Sequence, residues 1–150
     1  VGVLVPATGA ADLDRAVGLS ADHSDRLVAA VGVHPHEASS LDRGLKARIE
    51  SSLGRCGVVA VGEIGLDYHY LNSPREDQLY ALAWHLDLAC EAGLPVVLHN
   101  RESWADLEAA LASRQGRLRG VCHSFAEGPE EALRVLELGL LIAGEEPAEV

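Results

Sequence analysis

Val58-Val59-Ala60-Val61, the run from Ser73-Pro74-Arg75-Glu76 to Gly93, and Pro95-Val96-Val97-Leu98 form the stretch on which the fold turns. Two apolar runs flank a segment of helix length. Within it Leu79, Leu82, Ala83, Leu86, Ala89 and Cys90 recur at helical spacing and therefore share one face. Ser73 is placed to cap this helix, Pro74 to take its first position, where a missing N–H costs nothing, and Glu76 to complete a capping box. Gly93 stops the helix ahead of Pro95. Strands that are apolar throughout and joined by a helix indicate parallel neighbours covered on their faces.

The same alternation extends in both directions. Strands are expected at Gly2-Val3-Leu4-Val5, Ala29 to Val33, Gly120-Val121-Cys122 and Leu140 to Ala143. Helices are expected at Ala11 to His23, Leu41 to Leu53, Trp104 to Ser113 and Pro129 to Leu138. From Glu127 to Val150 there are seven Glu and one Arg, read as the solvated face of a helix followed by a frayed tail. Six strands with five helices suit either a doubly wound sheet or most of a (β/α)8 barrel. A whole barrel takes about 250 residues, so 150 would supply five to six of its eight units. A complete flavodoxin-like sheet would fit the length but more often carries a phosphate loop after its first strand. Pro6-Ala7-Thr8-Gly9-Ala10 has neither of the glycine-rich phosphate-loop patterns.

Composition narrows the class. With 48% apolar residues the chain can bury a core, and no run approaches the roughly 20 residues of a bilayer span. Cys56, Cys90 and Cys122 contain no Cys-x-x-Cys pair, which argues against a disulfide framework or a thiolate zinc site and favours a reducing cytoplasm. A net charge of −11 argues against broad capture of nucleic acid by cationic patches, leaving room for a local cationic or metal-containing pocket. The absence of methionine and the apolar opening Val1-Gly2-Val3 suggest an internal fragment.

Three strand ends finish in a good metal ligand: Glu63, His99 and His123. The C-terminal strand ends of a parallel barrel open on one face, so ligands distant in sequence converge there. Parity expects Glu63 to share a face with Val61 and Val59, His99 with Val97, and His123 with Val121, leaving Gly62, Leu98 and Cys122 towards the helices. A lone histidine at a strand end is more often structural, so the weight lies in the three together. Imidazole and carboxylate without thiolate suit zinc, manganese, iron or cobalt in a hydrolytic site. In Val33-His34-Pro35-His36, either histidine would reach the same mouth, or the segment is only a turn. Gly65-Leu66-Asp67-Tyr68 reads as a tight turn and cap, and Arg101 as a phosphate clamp or a rim partner of Glu102 or Glu76.

Gly32-Val33-His34-Pro35-His36, Gly62-Glu63-Ile64-Gly65-Leu66-Asp67-Tyr68, Leu94 to Arg101, and Gly120-Val121-Cys122-His123-Ser124-Phe125 together resemble the ordered signature blocks of the TatD family of metal-dependent hydrolases. The resemblance implies an α/β fold, a partial TIM-type (β/α)8 barrel with about strands 2 to 6 present, occupying 1–150 as one domain truncated at both ends. It implies one or two divalent ions, among zinc, magnesium, manganese or cobalt, and hydrolysis of phosphodiester bonds, commonly in DNA. Glu63, His99 and His123 match the metal ligands, while His34, His36, Tyr68 and Arg101 fall where family members line the substrate pocket. The family's opening His-x-His pair and its late Asp have no counterpart here, and Gly144 to Val150 departs from the usual continuation. The chain alone is therefore expected to hold about one metal equivalent or less, to lack nuclease activity and, with open sheet edges, to self-associate. No membrane association and no obligate protein partner are expected. The rival readings are another metal-dependent amidohydrolase or esterase, such as an aminoacyl-tRNA deacylase, and an inactive fragment or binding module.

Overall fold

Six strands run parallel in the order in which they occur along the chain: β1 (Val3–Pro6), β2 (Leu27–Val31), β3 (Val58–Asp67), β4 (Val96–Arg101), β5 (Gly120–His123) and β6 (Leu140–Ala143). The structure is a computed structural model and describes residues 2–144. The helices between the strands are α1 (Leu13–Asp22), α2 (Arg43–Ser52), α3 (Arg75–Ala92), α4 (Trp104–Ala112) and α5 (Pro129–Glu137), with a 3-10 turn at Pro35–Ser40 ahead of α2. Sequential order decides between the two architectures left open above. A doubly wound sheet reverses its strand order at a switch point, whereas this sheet never does. Right-handed crossovers in one direction put all helices on one side and curl the sheet as in a TIM-type barrel.

Burial follows from that winding. Ile64, Leu66, Leu98 and Cys122 pack with Leu82 and Leu86 of α3, Leu107 and Leu111 of α4, and Val135 of α5 in one core cluster between sheet and helices. A second cluster joins Val31, Leu13, Val17, Leu45 and Ile49. Each fully buried leucine or isoleucine contributes about 1.5–3 kcal/mol relative to exposure. The opposite, concave face of the sheet is an apolar hollow of about 420 Å³ lined by Leu4, Val59, Val97, Val121 and Leu141. Among the described residues, no helix is long and apolar enough to cross a membrane.

Several local expectations change. Ser73 does not cap α3: Pro74 is extended (ψ 147°) and occupies the N-cap position. The Ser73 hydroxyl instead donates to the His36 carbonyl and accepts the Ser39 N–H, tying the 3-10 turn to the start of α3. Gly65-Leu66-Asp67 is not a turn but the end of a ten-residue β3. Ile64 and Leu66 supply the alternating buried face that keeps it extended, and Gly65 lets β4 approach. A Cβ at Gly65, whose φ is +144°, would lie 1.9 Å from the His99 carbonyl oxygen. Parity also fails once. The register of β3 against β4 shifts between Val61 and Ile64, so Val61 packs into the helix-side core although Val59 lines the hollow.

The loop after β1 is already filled. The Thr8 and Gly9 amides and the Thr8 hydroxyl all donate to the Asp12 carboxylate, at 2.7–3.1 Å. Amides spent on an internal anion do not cradle a phosphate. At the other end, α5 presents Glu130 and Glu131 in its first turn, as the acidic composition suggested. The tail read as frayed, and most of the segment departing from the family pattern, falls at 145–150, outside the described residues.

Candidate metal centre

The shift in β3 turns Glu63 towards the mouth at the C-terminal strand ends. There one carboxylate oxygen meets three imidazoles: Glu63 Oε1 lies 2.6 Å from His123 Nε2, 3.2 Å from His99 Nδ1 and 3.5 Å from His34 Nε2. The sources are β3, β4, β5 and the end of the segment after β2. Register explains the convergence, because Gly65 pairs with His99 and Leu98 with Cys122, which sets His123 one residue beyond. Cys122, between Val121 and His123, faces the helix-side core, where burial pushes its thiol up to about 12. No thiolate reaches the mouth from this strand.

Burial alone would favour a neutral Glu63, but hydrogen bonding from His34, His99 and His123 outweighs it and holds the carboxyl well below the usual range. Asp67 behaves alike: burial raises its pKa, and the Tyr70 amide, His36 and His99 lower it further than burial raises it. The floor of the mouth thus holds two ionised carboxylates among imidazoles.

Ring nitrogens separate the histidines by role. The His36 amide donates to His34 Nδ1 at 3.2 Å. That nitrogen therefore carries a lone pair, and in the neutral ring Nε2, facing Glu63, carries the hydrogen. At His99, Nε2 makes the hydrogen bond to Asp67 Oδ2 at 3.3 Å, while Nδ1 faces Glu63. At His123, Nε2 faces Glu63 and Nδ1 lies 3.0 Å from Ser124 Oγ.

By distance, His34, Glu63 and His99 form a cluster whose donor atoms all lie within 4.8 Å of one another. His123 Nε2 and His99 Nδ1 lie nearer the shared Glu63 Oε1, at 2.6 and 3.2 Å, than His34 Nε2 does at 3.5 Å. Oxygen and imidazole donors without thiolate suit zinc and its first-row neighbours.

The remaining expected residues divide. His36 stands beside the cluster, its ring 4.4 Å from that of His34 and its Nε2 2.8 Å from Asp67 Oδ2. Arg101, at the end of β4, lies over Tyr70 with its guanidinium carbon 4.8 Å from the ring centroid, and pairs with neither Glu102 nor Glu76. Tyr68 is not brought to the mouth. It follows Asp67 on the opposite strand face, donates to Asp106 Oδ2 at 2.6 Å, and stacks under Arg75. The tyrosine at the rim is Tyr70, whose ring is 5.5 Å from His36.

Sequence reading missed Asp67, Tyr70 and the buried Gln78. The spacing of Glu63, Gly65 and Asp67, with Gly65 too crowded for a side chain, carried a signal that the strand continued. Gln78 receives the Asp67 N–H and donates to the carbonyls of Asp67 and Ser73, which no linear pattern announces.

Known proteins similar to this chain are numerous. The family model described as TatD related DNase matches residues 1–145. A 3′-5′ ssDNA/RNA exonuclease TatD of Pantoea ananatis is 34% identical over 142 residues, covering 94% of this chain and 55% of that protein. An uncharacterized metal-dependent hydrolase TatD of Mycobacterium tuberculosis is 33% identical, covering 95% and 56% respectively. Among solved structures, a TatD homologue from Escherichia coli K12 superposes with a TM-score of 0.86 at 33% identity, covering 94% of this chain and 55% of the other. A TatD family hydrolase from Entamoeba histolytica gives 0.81 at 29%, covering 94% and 50%. The chain therefore spans about half the length of the relatives it matches.

Proposed function

The chain belongs to the TatD family of metal-dependent hydrolases, and from that premise we propose that the protein cleaves phosphodiester bonds in single-stranded nucleic acid, DNA foremost, with a divalent metal as cofactor. One observation carries the reading: a single ionised oxygen, Glu63 Oε1, faces His99 Nδ1 and His123 Nε2 at 3.2 and 2.6 Å. Glu63, His99 and His123 would hold the ion. A divalent ion in such a site supplies Lewis acidity towards a phosphoryl oxygen and lowers the pKa of water from 15.7 to about 7. One ion on these donors, or two with help from others, and its identity among zinc, magnesium, manganese and cobalt, belong to the proposal.

The chain's own groups do the rest. His34 Nε2–H points into the mouth and donates to a non-bridging oxygen of the substrate. His36, held by Asp67, keeps the His34 ring oriented through its backbone amide. Arg101 offers a planar fork to the next phosphate along the strand. Tyr70 gives a base an aromatic face to stack on. Three free cysteines support a cytoplasmic setting.

The test is an activity panel of the protein with end-labelled single-stranded DNA, aminoacyl-tRNA and small amides, with and without each metal. Metal-dependent release of nucleotides is expected of a full-length protein carrying these residues, and not of residues 1–150 alone. Turnover of an ester or amide with no release from DNA would sink the nuclease reading and favour the esterase or amidohydrolase one.

A further inference from the structure

We propose that Gln78 is a positioning residue for strand binding: from the start of α3 it holds both ends of the 67–73 loop and so fixes Tyr70 at the rim of the mouth. The inference rests on the single-stranded nucleic acid reading above and names what keeps its stacking face in place.

The loop has little apolar packing of its own. Asp67 and Ser73, at its ends, are each 1% exposed, whereas His69, Tyr70, Leu71 and Asn72 between them are all exposed. Leu71 has a left-handed backbone, with φ +48°, which its side chain disfavours, so local preference does not set the path either. Asp67 Oδ1 accepts the His69 and Tyr70 amides at 3.0 Å, which shapes the turn but ties it only to Asp67 itself. The His69–Glu102 pair, at 2.7 Å, is exposed on both sides and contributes little.

One buried carboxamide joins the two ends. Gln78 is 0% exposed; its Oε1 accepts the Asp67 N–H at 2.8 Å, and its Nε2 donates to the carbonyls of Asp67 and Ser73 at 3.0 and 2.9 Å. The partners decide which end of the amide is which, since a backbone N–H needs an acceptor and two carbonyls need donors. Both hydrogens of the NH2 are thus spent on the main chain of the loop ends. Tyr70 hangs from this frame, its ring 5.5 Å from that of His36 and 4.8 Å from the Arg101 guanidinium carbon. The clamp therefore holds an aromatic face and a phosphate-binding fork side by side, next to the residues that would hold the ion.

Gln78→Glu keeps the shape and removes the double donor. In either protonation state the new carboxyl has at most one hydrogen for two carbonyls, so one loop end is released. Amide hydrogen exchange of the 150-residue chain reads the loop through His69 and Tyr70, with Leu86 and Leu111 reporting on the core. Fluorescence anisotropy of a labelled oligothymidine with the zinc-loaded chain gives the Kd.

The His69 and Tyr70 amides are expected to be protected in the wild type and to exchange about tenfold faster in Q78E, with Leu86 and Leu111 unchanged. The oligothymidine Kd should weaken about tenfold in Q78E and in Tyr70→Ala, the scale of one lost stacking face. The double variant should be no weaker than Y70A, because both changes remove the same contact. Unprotected amides in the wild type would overturn the proposal without any variant, which keeps it testable even where Q78E does not fold. Loop and core amides speeding up together, as for a merely structural role, would overturn it, and so would a double variant whose losses add. Protected loop amides with no oligothymidine bound by the zinc-loaded wild type would defeat the strand-binding reading itself, and the positioning role with it.

Discussion

His85 offers a measurement that tests the packing of α3 independently of the site. Its side chain is fully buried on the sheet-facing side of the helix; Nδ1 lies 2.7 Å from the Ala81 carbonyl, and Nε2 has no partner among the described residues. Burial is the main reason its pKa falls to about 4, with a smaller contribution from Lys46, against the opposing hydrogen bond to Ala81. The unfolded chain takes up a proton near pH 6.5, whereas the folded chain resists protonation until about pH 4. Stability contributed by this neutral ring is thus complete above the unfolded value and is lost as pH falls through the window between the two. The full loss is about 3 kcal/mol, of which about 1 kcal/mol falls between pH 7.5 and 5.5. Urea unfolding of the wild type and of His85→Leu at both pH values isolates the effect, since the other titrating groups cancel in the difference. The leucine variant, which also removes an unpaired buried nitrogen, should be at least as stable at pH 7.5 and relatively more stable by about 1 kcal/mol at pH 5.5. Parallel pH dependence in the two proteins would refute the buried, neutral assignment.

Further outcomes follow from the same geometry. Gly65→Ala should abolish soluble folded protein, because its Cβ would overlap the His99 carbonyl, while Gly54→Ala, with nothing within 4 Å, stays within about 0.5 kcal/mol of wild type; cooperative unfolding of G65A near the wild-type midpoint would contradict this. Tyr68→Phe should cost about 1 kcal/mol of stability through the lost bond to Asp106 and leave zinc affinity unchanged in calorimetry; a tenfold weaker zinc Kd would return Tyr68 to the site. In a full-length protein, Arg101→Ala should raise KM for single-stranded DNA more than it lowers kcat and flatten the salt dependence by about one phosphate contact, whereas an identical KM and salt slope would remove it from the substrate path. Chelation should abolish DNA binding as well as cleavage, and retained affinity in a filter-binding assay after dialysis against chelator would argue against the metal as counter-charge.

The parts of this molecule legible in the sequence are those fixed by short-range periodicity. The run from Leu79 to Cys90 could only be a helix with one apolar side, and Val96-Val97-Leu98 could only be a covered strand, so α3 lies within a residue of where the pattern places it, and β4 starts within a residue but runs three further, to Arg101. The end of β5 at His123 follows from the same runs, whereas β4 continues past His99 to Arg101. What stayed hidden depends on contacts between elements. Ser73 has the sequence context of a cap, but its hydroxyl is claimed by the His36 carbonyl some 37 positions away. Val61 breaks parity because β3 carries an extra residue against β4, which is a property of the pair. Tyr68 and Tyr70 are equally plausible rim residues in one dimension, and only the extension of β3 to Asp67 decides that the second faces the mouth. Asp67 itself looks like a turn residue until its two oxygens are seen to be divided between amides and imidazoles.

Charge explains why a protein of this composition would need its cation. The chain carries a net −11, and the mouth adds two ionised carboxylates at its floor, Glu63 and Asp67, with Glu102 and Glu127 along the hollow beside His99. Two like charges at 4 Å repel by about 4 kcal/mol at an effective dielectric of 20, so a phosphate entering against that floor meets opposition of the same size as a good contact. Arg101 is the cation lining that hollow, and Arg75 nearby is committed to Asp106. A divalent ion on Glu63, His99 and His123 reverses the sign of the field where the phosphate must sit and leaves the acidic surface to repel it elsewhere. Binding and chemistry would then depend on the same ion, and the buried carboxylates that make the empty mouth repulsive are those that gather the donors around it.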